Sequence, residues 1–254
     1  MKKPKVVYWD LETLPDPREN YKVLPSIGAW PGRTFKAQLQ TIMCFGYMVE
    51  GMDAPESINS WELSDDAADD AALVHLAWEM LNDADEIVTH NGKSFDVKVL
   101  NTRLAYYGFP PVDDKIKHVD TKQVAKSKLS LYSNSLDNVA KFFGVAEKMH
   151  WPDKWGTWER IAFKEATKED FEIMDRYCKQ DVKVLRDIYM KLRPYMGNKA
   201  ANREHWADAD IVCRTCGSTN VHRNGTRRSL KKKYQRYMCG DCGSQFPGTK
   251  ALED

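Results

Sequence analysis

The sequence predicts an α/β domain, with a mixed sheet flanked by helices, followed by a small C-terminal β module built around a metal. Three observations carry this. Across residues 1–195, short β-branched and aromatic runs alternate with apolar residues at helical spacing. The two C-x-x-C pairs, Cys213 with Cys216 and Cys239 with Cys242, both lie near the end. The charge divides at the same point: residues 213–250 hold nine Lys/Arg against one acid, whereas 1–212 hold 29 against 34.

The elements follow in order. KVVYWD is β-branched and aromatic and predicts a buried strand. Residues 14–38, rich in Pro and Gly, predict an extended loop over one face. TIMCFGYMVE and ESINSWEL predict two strands joined by a turn containing Gly51 and Pro55. A helix over 66–82 is introduced by Ser64 and early acids, with Leu73, Leu76, Ala77 and Met80 inward. EIVTH is a short strand, and 95–107 a helix with Val97, Leu100 and Leu104 inward, stopped by Gly108 and Pro110. KHVDT is another strand. The rest to residue 192 is mostly helical, first over 136–143 and then in a long run from 168. Weakly patterned residues 196–210 read as a linker, leaving 211–250 as the metal module.

With 254 residues, one medium domain or two unequal ones fit. No stretch approaches the ~20 apolar residues of a membrane span, and the start, MKKPKVVYWDLET, has no apolar signal region. The expectation is a cytoplasmic protein without membrane contact, in the host cytoplasm if phage-encoded. Cys44 and Cys178, alone in apolar or helical surroundings, are expected to be packing residues. The paired cysteines read as one tetrahedral zinc site, and four thiolate ligands make that zinc structural.

The carboxylates carry the chemistry. Asp10 and Glu12, at i and i+2 at the end of the first strand, project to one face. Close carboxylates repel unless a cation lies between them, and magnesium prefers such oxygen ligands; a strand end reaching solvent would look the same. Asp96 opens a helix after HNGKSF, where an acid also complements the helix dipole. Asn91 and Phe95 beside it would equally serve as a turn and a core contact. In YCKQD, Tyr177 and Asp181 lie one helical turn apart.

Together, D-x-E on the first strand, N-x-x-x-F-D after a later strand and Y-x-x-x-D on a late helix resemble the DEDD superfamily of 3′–5′ exonucleases. The tyrosine marks the subgroup found in the proofreading domains of family A and family B DNA polymerases. SNSLDNVAKFFGV and RYCKQDVKVLRDIYMKLRPY are similar to free-standing, phage-type relatives of the family B domain. The resemblance covers residues 5–195 and implies a ribonuclease H-like fold. It implies that Asp10, Glu12 and Asp181 hold one Mg2+ or Mn2+, that Asp10 is shared with a second ion supported by Asp96, and that Tyr177 orients the attacking water. Two such cations ~3.5–4 Å apart activate that water and stabilise the leaving oxygen. It also places the backbone around Leu11 beside the terminal nucleotide and matches Asn91 and Phe95 to substrate contacts. Trp151, Trp155 and Trp158, beside Lys154, would either stack on bases or form a hydrophobic cluster.

The segment from Cys213 resembles the zinc ribbons of insertion-sequence transposition proteins: a C-x-x-C-x-S start, an N-G turn at Asn224–Gly225, and R-Y-x-C-x-x-C-G-x-x-F at the end. A strand between the knuckles is expected to carry Arg227, Arg228, Lys231, Lys232, Lys233 and Arg236 toward phosphates, with Tyr234 and Tyr237 interleaved. The expected function is a metal-dependent 3′–5′ exonuclease on single-stranded DNA, with any polymerase or replication partner engaged in trans. The alternatives are an RNA-trimming exonuclease on the same fold and a non-catalytic nucleic-acid-binding protein on a nuclease scaffold. A transposase would place its acids in a D…D…E order, whereas this chain ends in Y-x-x-x-D.

Overall fold

β1 (Val6–Pro15) is the strand around which the larger sheet is ordered. The computed structural model describes residues 4–15, 40–64, 69–145, 149–151, 153–162, 165–196, 211–213, 215, 218–229 and 232–252. The expected loop over 14–38 and the linker over 196–210 therefore lie mostly outside the described residues, as do Cys216 and Lys231. β1 pairs antiparallel with β2 (Gln40–Val49), which pairs with β3 (Glu56–Asn59). On its other side β1 pairs parallel with β4 (Glu86–Thr89), which pairs with β5 (Lys117–Asp120). The order β3-β2-β1-β4-β5 is the mixed sheet that the sequence predicts.

Strand alternation decides which helices cover which face. Val7, Trp9 and Leu11 point to the face covered by α2 (Ala71–Asn82) and α3 (Asp96–Tyr106), packing with Leu73, Ala77, Leu81, Leu100 and Leu104. Val6 and Tyr8 point to the other face, covered by α4 (Thr121–Lys128), α5 (Leu136–Phe143) and α7 (Lys168–Met196). Asp10 and Glu12 have the parity of Tyr8, so the same alternation aims them at α7. α6 (Lys154–Ala162) closes this end, adding Trp158 and Ile161 to a cluster with Trp151, Met174 and Tyr177.

Local chemistry explains where the elements depart from expectation. ESINSWEL is not one strand: β3 stops at Asn59, and α1 (Ser60–Leu63) makes one helical turn. Asn59 and Glu62 form a reciprocal capping box there, which satisfies backbone donors that a strand would leave open. α2 starts at Ala71, and its N-cap residue Asp70 makes no side-chain cap bond because its carboxylate is engaged elsewhere. Its carboxylate accepts from the fully buried Arg103 guanidinium, the Tyr107 hydroxyl (2.7 Å) and the Ile42 N–H (2.8 Å). Leu76, expected inward, is 36% exposed. α4 begins directly after β5, where Asp120 accepts from the Lys122 and Gln123 N–H groups at 3.1 and 3.3 Å.

The C-terminal module is a three-stranded antiparallel sheet, β6 (Val221–Arg228), β7 (Lys233–Cys239) and β8 (Gln245–Leu252). The basic residues therefore occupy a hairpin rather than one strand. Asn224–Gly225 is not the turn: it sits inside β6 as a bulge in the pairing between Arg223 and Thr226, with Gly225 at φ +70°.

How α7 reaches β1 depends on Gly46, which pairs with Asp10 across the β1–β2 ladder. A Cβ at Gly46 would meet Cys178 Sγ at 2.6 Å and Val182 Cγ2 at 3.1 Å. Gly46→Ala is expected to lower stability by about 1–3 kcal/mol through overpacking. Cys178→Ala in that background should restore part of the stability, as read from urea unfolding midpoints; equal midpoints for Gly46→Ala and the unmodified protein would refute the contact.

Candidate active site

Asp10, Glu12 and Asp181 come together: one carboxylate oxygen from each lies within 4.8 Å of the others. Glu12 and Asp181 are buried, and Asp10 half-buried. Asp10 and Glu12 share a face because β1 alternates, and its pairing shifts register only between Glu12 and Thr13. Asp181 comes from α7, held against β1 by Cys178, whose thiol lies 3.9 Å from the Asp10 carbonyl oxygen. An octahedral magnesium with bonds of about 2.1 Å spans ligand oxygens about 3.0–4.2 Å apart. The residues present fit such an ion with slight contraction.

Asp96, 4% exposed at the start of α3, lies near enough to Glu12 to feel its charge but is not one of the three acids whose oxygens lie within 4.8 Å of one another. Burial raises its pKa, and the negative charges of Glu12 and Asp120 push the same way; backbone N–H groups of Asp96 and Leu11 oppose them, leaving it at about 7. That bond from Leu11 ties Asp96 to the strand carrying Asp10 and Glu12. The Leu11 side chain is 5% exposed within the core beside Trp9, so only its backbone faces the site. Asn91 has φ +80°, and its N–H donates to Asp120 Oδ1 at 3.0 Å, while the Lys93 N–H donates to Oδ2 at 3.3 Å. Asp120 thus caps α4 and fixes the loop before Asp96. Phe95 is 39% exposed beside that loop. His90, just before that loop, is engaged by Thr121 Oγ1 at 2.9 Å and the Asn134 carbonyl oxygen at 3.0 Å.

Tyr177 lies one turn before Asp181, 9% exposed, with its ring 5.2 Å from Trp151. Trp151 and Trp158 meet edge-on at 5.0 Å in the buried cluster, so of the two roles open to them they take the packing one. The Trp155 side chain is outside the described residues.

Sequence reasoning missed the group between these parts. Lys154 Nζ lies 3.3 Å from Glu12 Oε2 and 4.0 Å from the centre of the Tyr177 ring, with the rings of Trp158 and Trp151 at 5.2 and 5.7 Å. Burial works against the ammonium, but Glu12 and Tyr177 outweigh it and raise its pKa. The signal in the sequence was a single lysine inside the aromatic run HWPDKWGTW, a composition that suits cation–π contact.

In the C-terminal module, Cys213, Cys239 and Cys242 bring their sulfurs within 4.8 Å of one another, with Cys213 and Cys242 3.5 Å apart. Tetrahedral zinc with Zn–S bonds of about 2.3 Å sets sulfurs about 3.8 Å apart, so the three fit that ion. The two knuckles repeat a backbone bond, Cys213 N–H to Ser218 O at 2.8 Å and Cys239 N–H to Ser244 O at 2.9 Å. Arg227 lies opposite Tyr234, and Arg228 opposite Lys233. Alternation therefore puts Arg227 and Arg236 on one face and Arg228 and Lys233 on the other. Arg227 and Arg236 line a cavity of about 430 Å³ with Thr226, Gln245, Phe246 and Pro247. Lys232 is exposed in the connection between β6 and β7.

Residues 33–193 match the family RNase_H_2, described as RNase_H superfamily. The chain belongs to the RNase_H superfamily. Among solved structures, the family B DNA polymerase from the hyperthermophilic archaeon Pyrobaculum calidifontis matches with a TM-score of 0.52 at 18% identity. The match covers 92% of this chain and 32% of the polymerase, so the chain spans under a third of it. No curated protein sequence matches. Membership in the RNase_H superfamily agrees with the ribonuclease H-like fold implied by the sequence motifs. Among the described residues no helix is long and apolar enough to cross a membrane.

A divalent ion held by Asp10, Glu12 and Asp181 would bind only the folded chain, so Mn2+ should raise the melting temperature. At 100 times Kd the added stability is about 2.7 kcal/mol. Asp181→Ala should lose that shift; an undiminished manganese shift in this variant would place the ion elsewhere.

Proposed function

We propose that the chain is a metal-dependent 3′–5′ exonuclease that releases nucleotides from the 3′ end of single-stranded DNA. The observation that carries this reading is the convergence of Asp10, Glu12 and Asp181 from β1 and α7, with Tyr177 one helical turn from Asp181. Superfamily membership supports hydrolysis of a nucleic-acid phosphodiester. The ordered motifs, ending in Y-x-x-x-D, support attack at the 3′ end.

Asp10, Glu12 and Asp181 would hold one Mg2+ or Mn2+, and Asp10 with Asp96 a second. Bound there, the ions stabilise charge on the attacking and leaving oxygens of an in-line displacement. The side chains do the rest. The Tyr177 hydroxyl orients the attacking water. Trp151 and Lys154 fix the ring from two sides. Lys154 also holds Glu12 Oε2 and keeps a positive charge where a scissile phosphate would bring negative charge. Phe95 and the Asn91 loop would border the terminal nucleotide, with the Leu11 backbone behind it.

The zinc ribbon would grip the same polymer through Arg227 and Arg236 on one face and Arg228, Lys232 and Lys233 on the other, with Lys231 in the connection between the strands. Its zinc, held by Cys213, Cys216, Cys239 and Cys242, organises a module too small to fold without it. The enzyme would act in the cytoplasm, and any polymerase would be met in trans.

Asp10→Ala should abolish cleavage of end-labelled DNA in magnesium while the protein stays folded; wild-type rates would sink the assignment. Tyr177→Phe should lower the rate by ~10²–10⁴-fold with near-normal binding. Preference for RNA in the same assay would transfer the reaction to the RNA-trimming alternative. Removing the chain from Ile211 onward should spare cleavage of short substrates yet weaken binding of long ones. The log–log salt slope should fall by ~0.7 for each phosphate that the truncated protein no longer neutralises, and an unchanged slope would assign the basic ribbon to another partner.

A further inference from the structure

The larger domain is acidic, with 29 Lys/Arg against 34 Asp/Glu in residues 1–212. α7 breaks that trend where it passes the site. Between residues 176 and 186 it carries Arg176, Lys179, Lys183 and Arg186, against one acid, Asp181, which turns into the carboxylate cluster. Spacings of three, four and three residues put these cations along one side of the helix, about 15 Å from first to last. Tyr177 and Asp181 point inward, so the cations form the outward stripe of the same turns. Arg176 and Lys183 are exposed and Lys179 half-buried, and none of the three has an ion-pair partner among the described residues. Arg186, by contrast, pairs with Asp187 at 3.3 Å. Of the other flanking acids, Asp175 is turned away toward β3, where it accepts from Ser57 at 3.0 Å and Asn59 at 2.7 Å, and Glu172 pairs with Lys168 at 3.6 Å.

The stripe also has shape. Arg176, Lys179 and Gln180 floor an open cavity of about 450 Å³, walled by Pro55 and Met149. Met149 packs on the cluster that contains Trp151 and Tyr177, so this hollow adjoins the site. An amphipathic helix needs a polar outer face, but solvation alone does not call for cations without acids beside a group of carboxylates. Such a row raises the local concentration of a polyanion that the acidic domain would otherwise repel.

We propose that Arg176, Lys179 and Lys183 on α7 form a phosphate track for single-stranded DNA, holding nucleotides on the 5′ side of the scissile bond. This rests on the exonuclease reading: with the 3′ end in the site, every nucleotide outside it lies 5′. Contacts of ammonium and guanidinium groups with phosphates carry no base information, so the track is indifferent to sequence. Met149 and Pro55 offer apolar walls to sugar or base edges.

The test uses the full chain with Arg176, Lys179 and Lys183 all changed to Gln. Anisotropy of a labelled 20-mer across a salt series measures binding, and turnover of a trinucleotide reports the site itself. The triple variant should bind the 20-mer about 100-fold more weakly at 0.1 M salt, with a log–log slope shallower by about 2. Trinucleotide turnover and melting temperature should match the unmodified chain. The single variants Lys179→Gln and Lys183→Gln should each show about a third of the slope change. An unchanged slope in the triple variant overturns the track, and so does an equal loss on trinucleotide and 20-mer. Failure of the exonuclease reading shows separately, as unmodified protein that does not shorten DNA from its 3′ end in magnesium or manganese.

Discussion

Three carboxylates held within 4.8 Å of one another are the constraint on which this architecture depends. At an effective dielectric of about 20, each pair at that distance repels by roughly 3–4 kcal/mol. Such a group exists only where the frame leaves the side chains no escape. β1 supplies that frame as the central strand, paired on both edges and buried on both faces. α7, 29 residues long, supplies the third acid and is pinned by packing along most of its length. Gly46 lets the helix close onto the sheet beside Asp10, and Lys154 brings a positive charge against Glu12. The same repulsion would be relieved by a divalent cation held between the three carboxylates.

A second arrangement follows from that one. The face of β1 that carries Asp10 and Glu12 also carries Val6 and Tyr8, which pack against the later turns of α7. One helix therefore buries the apolar half of the strand with its C-terminal turns and meets the acidic half with its N-terminal turns. Tyr177 is placed by the cluster of Trp151, Trp158 and Met174. Trp151 and Trp158 thus shape the candidate site from beneath instead of presenting their faces to bases.

Much of the fold was legible in the sequence because its strongest elements are also its most periodic. β1, β4, β5 and the long α7 follow from β-branched runs and helical spacing. The departures arise where a local bond outweighs the pattern. Asn59 and Glu62 cap each other and end β3 early. Asp120 caps α4, which the sequence pattern left within a broadly helical stretch. Asn224–Gly225 fits a turn and a bulge equally, since both need a positive φ, and the pairing of β6 with β7 makes it a bulge. Spacing put Asp10 and Glu12 on one face of a strand and Tyr177 and Asp181 on one face of a helix, whereas the meeting of Asp10, Glu12 and Asp181 was implied only by the resemblance of the motifs. Lys154 was not, because its contacts cross from α6 to β1 and α7 and have no signature in local spacing. The two basic faces of the ribbon were hidden for a similar reason: they depend on strand register.

The most direct measurement is anomalous diffraction at the manganese edge from crystals grown in Mn2+. A divalent-ion site at the cluster predicts manganese in contact with the carboxylates of Asp10, Glu12 and Asp181, and its loss from that position in crystals of Asp181→Ala. Manganese absent from those three carboxylates in the unmodified protein, at concentrations that support cleavage, would contradict it.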